Sequence, residues 1–352
     1  MRPAAQAPPI SKAQRSVDAE TMRAVVRLRY GGVKMIEIEQ ILRTRSTPDE
    51  VLLRVEVAGL DRGAWHLMTG RPFLLRLAFG FLRPRQRGLG REVSGTVLEV
   101  GAAVTKFSVG DEVFGIGAAT FAEYAAARED KLAHKPPNLT FAEAAVVPIS
   151  GLTALQALGE VGRLVAGQHV LVLGASGGVG SYAVQLANAY GAEVTGVCSQ
   201  AKAAFVRSLG ADHVLDYTRN DFADGTHHYD LILDLGGNPG VLRLRRGLTP
   251  EGTAVIVGGE EGGRLTGGMG RQLRALLLTR LSGQRLTTML CKERSEDLDE
   301  LAGLIADGTL TPALDQIYPL ERVANAMGDL EAGKVRGKSA ITAARVRSRI
   351  AS

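Results

Sequence analysis

Gly174-Ala175-Ser176-Gly177-Gly178-Val179-Gly180 follows directly on the apolar run His169-Val170-Leu171-Val172-Leu173. A buried strand that enters a glycine turn and then a helix, read here over 179–190, gathers unpaired backbone N–H groups and the positive end of a helix dipole at one point. That arrangement suits a pyrophosphate, and Gly177 and Gly180 keep the turn free of side chains. A tight structural turn would show the same glycines. The strand before and the helix after are what make this a dinucleotide signature, with Ala175, Ser176, Gly177, Gly178, Val179 and Gly180 as the contacts.

Sheets that bind NAD place a carboxylate at the end of the second strand, where it accepts the ribose hydroxyls. Here that strand ends Val197-Cys198-Ser199-Gln200, with Lys202 just beyond and no Asp or Glu. A hydroxyl and an ammonium suit a 2′-phosphate, which a carboxylate would repel, so NADPH is the expected cofactor. Ser199 is also placed to cap a helical segment starting at Ala201, with Lys202 then in solvent. Tyr217, at the end of the third strand, either stacks or hydrogen-bonds near the same phosphate or fills core.

The elements that position these groups can be read along the chain. Its 352 residues, 45% apolar and 22% charged, suit a soluble protein of about two domains. No apolar run approaches the roughly 18 residues of a membrane span, and no compact hydrophobic segment marks a secretory signal. A cytoplasmic protein without a membrane span is expected. The cysteines, Cys198 and Cys291, can build neither a disulfide framework nor a four-cysteine zinc site, and Cys198 reads as a small core residue rather than a reactive thiol. The net charge of +5 is concentrated at Arg71, Arg76, Arg83, Arg85, Arg87 and Arg91 and at Arg345, Arg347 and Arg349. These read as a solvated loop and tail rather than an anion-binding patch, and no nucleic-acid partner is expected, since aromatic interleaving is thin.

The first 21 residues show no period and read as a disordered extension, with Met22 a candidate functional start. Short strands follow, at 22–26, 51–57 and 94–100, in a β-rich region running to about Lys135. After Pro136-Pro137 a helical pattern at 141–147 leads on to the glycine turn, and strands at 193–199, 213–217, 229–235 and 252–258 then alternate with helices. Alternation of this kind predicts a parallel, doubly wound sheet. Beyond about Leu290 a helix at 298–305, the segment 318–320 and a closing strand at 338–342 find no place in that sheet, and the chain is expected to return to the first domain.

Several segments together resemble the zinc-independent branch of the medium-chain dehydrogenase/reductase superfamily, the group of NADPH:quinone oxidoreductases and enoyl or alkenal reductases. They are Gly90-Arg91-Glu92-Val93-Ser94-Gly95-Thr96-Val97, Phe107-Ser108-Val109-Gly110-Asp111-Glu112-Val113-Phe114-Gly115, Thr120-Phe121-Ala122-Glu123-Tyr124, Gly151-Leu152-Thr153-Ala154-Leu155 and Leu209-Gly210-Ala211-Asp212, closed by Gly337-Lys338. The resemblance implies an α/β fold, a GroES-like β-barrel catalytic domain interrupted by a doubly wound Rossmann domain, with the active site between them. On that plan residues 22–147 are the first part of the catalytic domain, 148–287 the Rossmann domain, 288–345 the return segment and 346–352 a tail.

Zinc-dependent relatives would draw ligands from the loop at Asp61, from the position of Arg91 and from near Val147. Only Asp61 could coordinate, so no metal is expected. Glu92 matches a superfamily position and reads as ordering a loop rather than performing chemistry. Hydride transfer without a metal needs an electrophile that delocalises negative charge, such as a quinone or an enone. Thr153 and Gly258 match positions that contact the cofactor, with a helix start and a strand-end turn as their structural alternatives. Many relatives carry Asn at the position of Asp61 and Asp at that of Ala64. Asp61 and His66 are left as the polar candidates for orienting substrate or passing a proton. Their structural alternatives are a carboxylate accepting backbone N–H groups and a histidine half-buried beside Trp65. Phe73, Leu74, Leu75, Leu77, Phe79 and Phe81 either line an apolar mouth or pack a helix on the barrel. The expected function is zinc-free, NADPH-dependent reduction of an apolar carbonyl or quinone, possible as a homodimer; a zinc-free alcohol dehydrogenase and a non-enzymatic NADPH sensor are the alternatives.

Overall fold

The computed structural model describes residues 20–236, 239–258, 270–272, 275 and 283–343. Residues 1–19 of the expected extension and the arginines at 345, 347 and 349 lie outside these. Thr21, by contrast, already belongs to a strand.

The first part of the chain is β-rich. Strands β1 (Thr21–Arg27) and β2 (Ile36–Leu42) pair antiparallel as a separate two-stranded sheet, which β1 bridges to the rest at Ala122 and Gly88. That sheet holds β3 (Glu50–Leu60), β4 (Glu92–Val100), β5 (Glu112–Ile116), β6 (Tyr124–Arg128) and β7 (Leu132–His134). Alternation in β3 and β4 sends Val51, Leu53, Val55, Val93 and Val97 into one core with Phe121, Leu132 and Met68. Between β3 and β4 lie helices α1 (Arg62–Thr69) and α2 (Leu75–Phe79). A Thr140/Glu143 capping box then starts α3 (Phe141–Ala145), and α4 (Pro148–Gln156) follows with proline in its first turn.

The second sheet is parallel and six-stranded: β8 (His169–Leu173), β9 (Glu193–Cys198), β10 (His213–Asp216), β11 (Tyr229–Asp234), β12 (Leu248–Ile256) and β13 (Arg285–Thr288). Its order is β10-β9-β8-β11-β12-β13, which is the doubly wound dinucleotide-binding order. The direction of winding reverses between β8 and β11, and ligands bind at the carboxyl ends of such a pair. Near-continuous burial of β8, β9 and β11 is what a sheet covered on both faces requires. The edge strand β13 escaped sequence reading because its four residues, Arg-Leu-Thr-Thr, make no apolar run.

The chain then returns. Strands β14 (Leu314–Pro319) and β15 (Lys338–Thr342) join the first sheet, β15 running antiparallel to β3 with Ser339 opposite Leu60. The helix Ser295–Ala306 serves both parts. It packs on β7 and α4, and its Leu298, Leu301 and Ile305 belong to the same buried cluster as Tyr182 and Val184 of the helix after the glycine turn. Leu301 reaches the face of α4, where a Cβ at Gly151 would meet its Cδ1 at 2.9 Å. Leu301→Ala should therefore lower the free energy of urea unfolding by about 2 to 5 kcal/mol, the cost of an unfilled core cavity. A change within error would show that this helix does not join the two cores.

Candidate functional site

The glycine turn lies at the end of β8, and helix α5 (Gly178–Ala189) starts within it, one residue before the expected start. Gly174 sits at φ +84°, a left-handed conformation that favours glycine, and carries the turn. A Cβ on Gly180 would meet Gly174 O at 2.2 Å, so its glycine is required by packing. At Gly177 a Cβ would meet only Gly174 O, at 3.4 Å, and at Gly236 nothing within 4 Å, so both face open space. The first helical bond runs from Ser181 N–H to Gly177 O at 2.9 Å, leaving the N–H groups of Gly178, Val179 and Gly180 ahead of the ladder. Ala175 departs from expectation. Its side chain is fully buried in the core and its N–H donates to Val197 O, so it builds the turn rather than facing a ligand.

Two cavities meet at this turn. One, of about 480 Å³, is bounded by the ends of β8, β11 and β12 (Gly174, Leu235, Gly258), by α1 (Gly63, His66) and by Thr153. The other, of about 430 Å³, holds Ser199, Lys202, Tyr217, Asn220 and Arg243, and among the described residues no Asp or Glu lines it. Gly174, Ser176, Lys202, Gly236 and Gly333 border both. The shape suits a dinucleotide whose pyrophosphate crosses the turn.

In the second cavity Ser199 precedes a short 3-10 turn, Gln200–Lys202, and its side chain makes no cap hydrogen bond, contrary to the capping alternative. Lys202 is not a solvated surface residue. Its Nζ donates to Gly333 O at 2.8 Å and Val335 O at 2.6 Å, and burial holds its ammonium below the usual lysine range. Tyr217 is largely exposed at the rim. Arg243, unforeseen from sequence, pairs with Asp221 and lies 4.8 Å from the Phe222 ring.

At the other end Thr153 Oγ1 donates to Ile149 O at 2.6 Å, and Gly258 N–H donates to Asp234 O while its carbonyl accepts from Arg271. Asp61 follows its structural alternative: it caps α1, Oδ1 accepting from Ala64 N–H at 2.6 Å, while Oδ2 is buried with no hydrogen-bond partner. His66 stands edge-on to Trp65 at 5.2 Å, its Nδ1 2.7 Å from Arg71 O. A carbonyl only accepts, so Nδ1 carries hydrogen and the neutral ring keeps its lone pair on Nε2. Phe73, Leu74, Leu77, Phe79 and Phe81 line neither cavity.

The residues do not fit a zinc ion. Arg91 is ion-paired with Glu293, which also accepts from Lys131 at 2.8 Å; Val147 is buried and apolar; and among the described residues no group of three or more His, Cys, Asp or Glu could hold a metal.

Sequence reading missed the buried pair behind the cleft. Lys338 of β15, a cleft-lining residue, is ion-paired through Nζ with Glu92 Oε2 of β4, and Glu92 Oε1 accepts from Ile149 N–H at 2.9 Å. Both side chains are almost fully buried, and a Cβ at Gly178 would meet Lys338 Cδ at 2.8 Å and Ser150 Oγ at 3.0 Å. Burial pushes the Glu92 carboxyl up to about 7, opposed by Lys338 and helped by Asp61. Folding thus takes up a proton here between the ordinary 4.5 and about 7. The resulting stability is full below the lower value and lost as pH rises through the upper one. Across that window the melting temperature should fall more steeply with pH in the wild type than in Glu92→Gln. Parallel profiles would contradict this assignment.

Comparison with known proteins agrees with the geometry. Residues 47–138 match the family described as Alcohol dehydrogenase GroES-like domain, and 209–341 the family described as Zinc-binding dehydrogenase. The chain is similar to the mitochondrial NAD(P)H oxidoreductase RTN4IP1 of Mus musculus, 30% identical over 358 residues covering 93% of this chain and 90% of that protein. It is also 30% identical to the 2-methylene-furan-3-one reductase of Solanum lycopersicum, over 89% of this chain and 76% of that one. The structure of the quinone oxidoreductase from Coxiella burnetii superposes with a TM-score of 0.81 at 27% identity, covering 92% of this chain and 99% of that one. The chain belongs to the medium-chain dehydrogenase/reductase superfamily, in its NAD(P)H:quinone oxidoreductase branch.

Proposed function

We propose that this protein is an NADPH-dependent reductase of quinones or α,β-unsaturated carbonyls, with the nicotinamide in the cavity beside α1 and the 2′-phosphate in the cavity beside Ser199. The observation that carries the phosphate assignment is the lining of the second cavity, where Ser199, Lys202 and Arg243 gather and, among the described residues, no carboxylate reaches the wall, Asp221 standing behind Arg243 as its ion-pair partner. Bound NADPH supplies the hydride.

The chain's own work is to hold and to exclude. Backbone N–H groups at Val179 and Gly180 and the positive end of α5 face the pyrophosphate. Thr153 and Gly258 border the ring, and Leu235, Val257 and Leu330 keep that end of the cleft apolar. Quinones and enones spread the incoming negative charge over a conjugated system, so neither needs the polarising cation that an unactivated alkoxide requires. His66 is assigned to proton delivery as the imidazolium, which carries hydrogen on both ring nitrogens: Nδ1–H stays on Arg71 O, and Nε2–H gives up its proton to leave the neutral ring with its lone pair on Nε2, while Asp61 acts by fixing the start of α1.

Ser199→Asp should raise KM for NADPH by about tenfold or more, the loss expected of a charge-assisted contact turned repulsive, and leave KM for NADH nearly unchanged. Equal KM values for the two cofactors in the wild type would remove the phosphate assignment. Faster alcohol oxidation with NADP than quinone reduction with NADPH would overturn the reaction class.

A further inference from the structure

The segment joining α1 to β4 contributes to neither cavity, yet its surface is unusual. Phe73, Leu74, Leu77, Phe79, Phe81 and Leu82 are 37 to 82% exposed, all within residues 73–82. Helix α2 buries none of its residues, whereas a surface helix normally buries an apolar stripe. The frame beneath is fixed. Tyr30 donates its hydroxyl to Gly80 O at 2.8 Å, Arg85 Nη1 donates to Ala78 O at 3.1 Å, and Arg76 Nε donates to Gly70 O at 3.0 Å. The Arg76 guanidinium also lies 4.5 Å from the Tyr30 and Phe73 ring centres. Hydrogen bonds hold the backbone while the apolar side chains stay in water, which marks an interaction surface rather than a core element.

Charge identifies the occupant. Between Asp61 and Glu92 the chain carries seven arginines and no acidic residue, and Arg71, Arg83 and Arg85 are exposed, as is Arg87, which is ion-paired with Glu39 at 2.5 Å. A second copy meeting this face about a two-fold axis would set arginine against arginine. We propose that residues 71–87 are a membrane-docking face that takes the surface of a bilayer rich in anionic phospholipid, with Phe and Leu side chains in the acyl boundary and guanidinium groups on the phosphates. Binding is at the surface, since among the described residues no helix is long and apolar enough to cross a membrane. The His66 to Arg71 hydrogen bond ties this face to α1, so docking sets the cleft beside the bilayer.

The test is co-sedimentation of the full chain with phosphatidylcholine vesicles, with and without phosphatidylglycerol. The chain is expected to bind the anionic vesicles and to leave them at high salt. The double variant Phe81→Ser/Leu82→Ser should bind about tenfold or more weakly, and Arg83→Ala about fivefold more weakly, with melting temperatures unchanged. Absence of vesicle binding, binding that neither variant weakens, or self-association that the variants abolish without vesicle binding would each overturn the proposal. None of these readouts depends on the reductase reading.

Discussion

The stretch from Gly333 to Lys338 is the brace on which the cleft depends. Lys338 is locked to Glu92 in the interior, Gly337 N–H donates to Ser176 O of the glycine turn at 2.9 Å, and the carbonyls of Gly333 and Val335 receive the Lys202 ammonium. Strand β4 and the turns that follow β8 and β9 are thereby fixed to one returning segment. Gly337 makes this possible, because at φ +70° it packs so closely that a Cβ would meet Ala313 O at 2.3 Å. A buried ion pair is a poor source of net stability but a strong constraint, since breaking it strands a charge. The chain has placed that constraint beside the glycine turn at the start of α5.

The division of labour across the cleft follows from this brace. The parallel sheet supplies backbone donors and glycine-lined space at its switch point, while the first sheet supplies the α1 wall and closes the apolar end. The cationic side chains near the site have separate duties: Arg91 holds Glu293, Lys338 holds Glu92, and Lys202 and Arg243 line the cavity beside Ser199. The chemistry that suits such a cleft is one in which the acceptor carries its own conjugation.

What sequence revealed and what it hid divides by distance along the chain. The glycine turn, its flanking strand and helix, and the Asp61 cap all act within a few residues, so residue types and spacing exposed them. Ala175 was misassigned because the motif names the turn without saying which members point inward. Glu92 and Lys338 lie 246 positions apart, and Lys202 and Val335 133 apart, so no periodicity could join them. Ser199 showed the opposite failure, a good capping residue type left without a cap because a 3-10 turn follows it. Phe73, Leu74, Leu75, Leu77, Phe79 and Phe81 could be read from sequence as either an apolar mouth or a helix packed on the barrel; none lines either cavity, and all but the half-buried Leu75 are exposed.

Trp65, the single tryptophan, adjoins His66 on the wall of the cleft and offers a direct probe. With NADPH added to the full chain, Trp65 emission should fall saturably as sensitised nicotinamide emission rises, and excess oxidised NADP should reverse both. Unchanged Trp65 emission under saturating NADPH would place the reduced ring elsewhere and contradict the account.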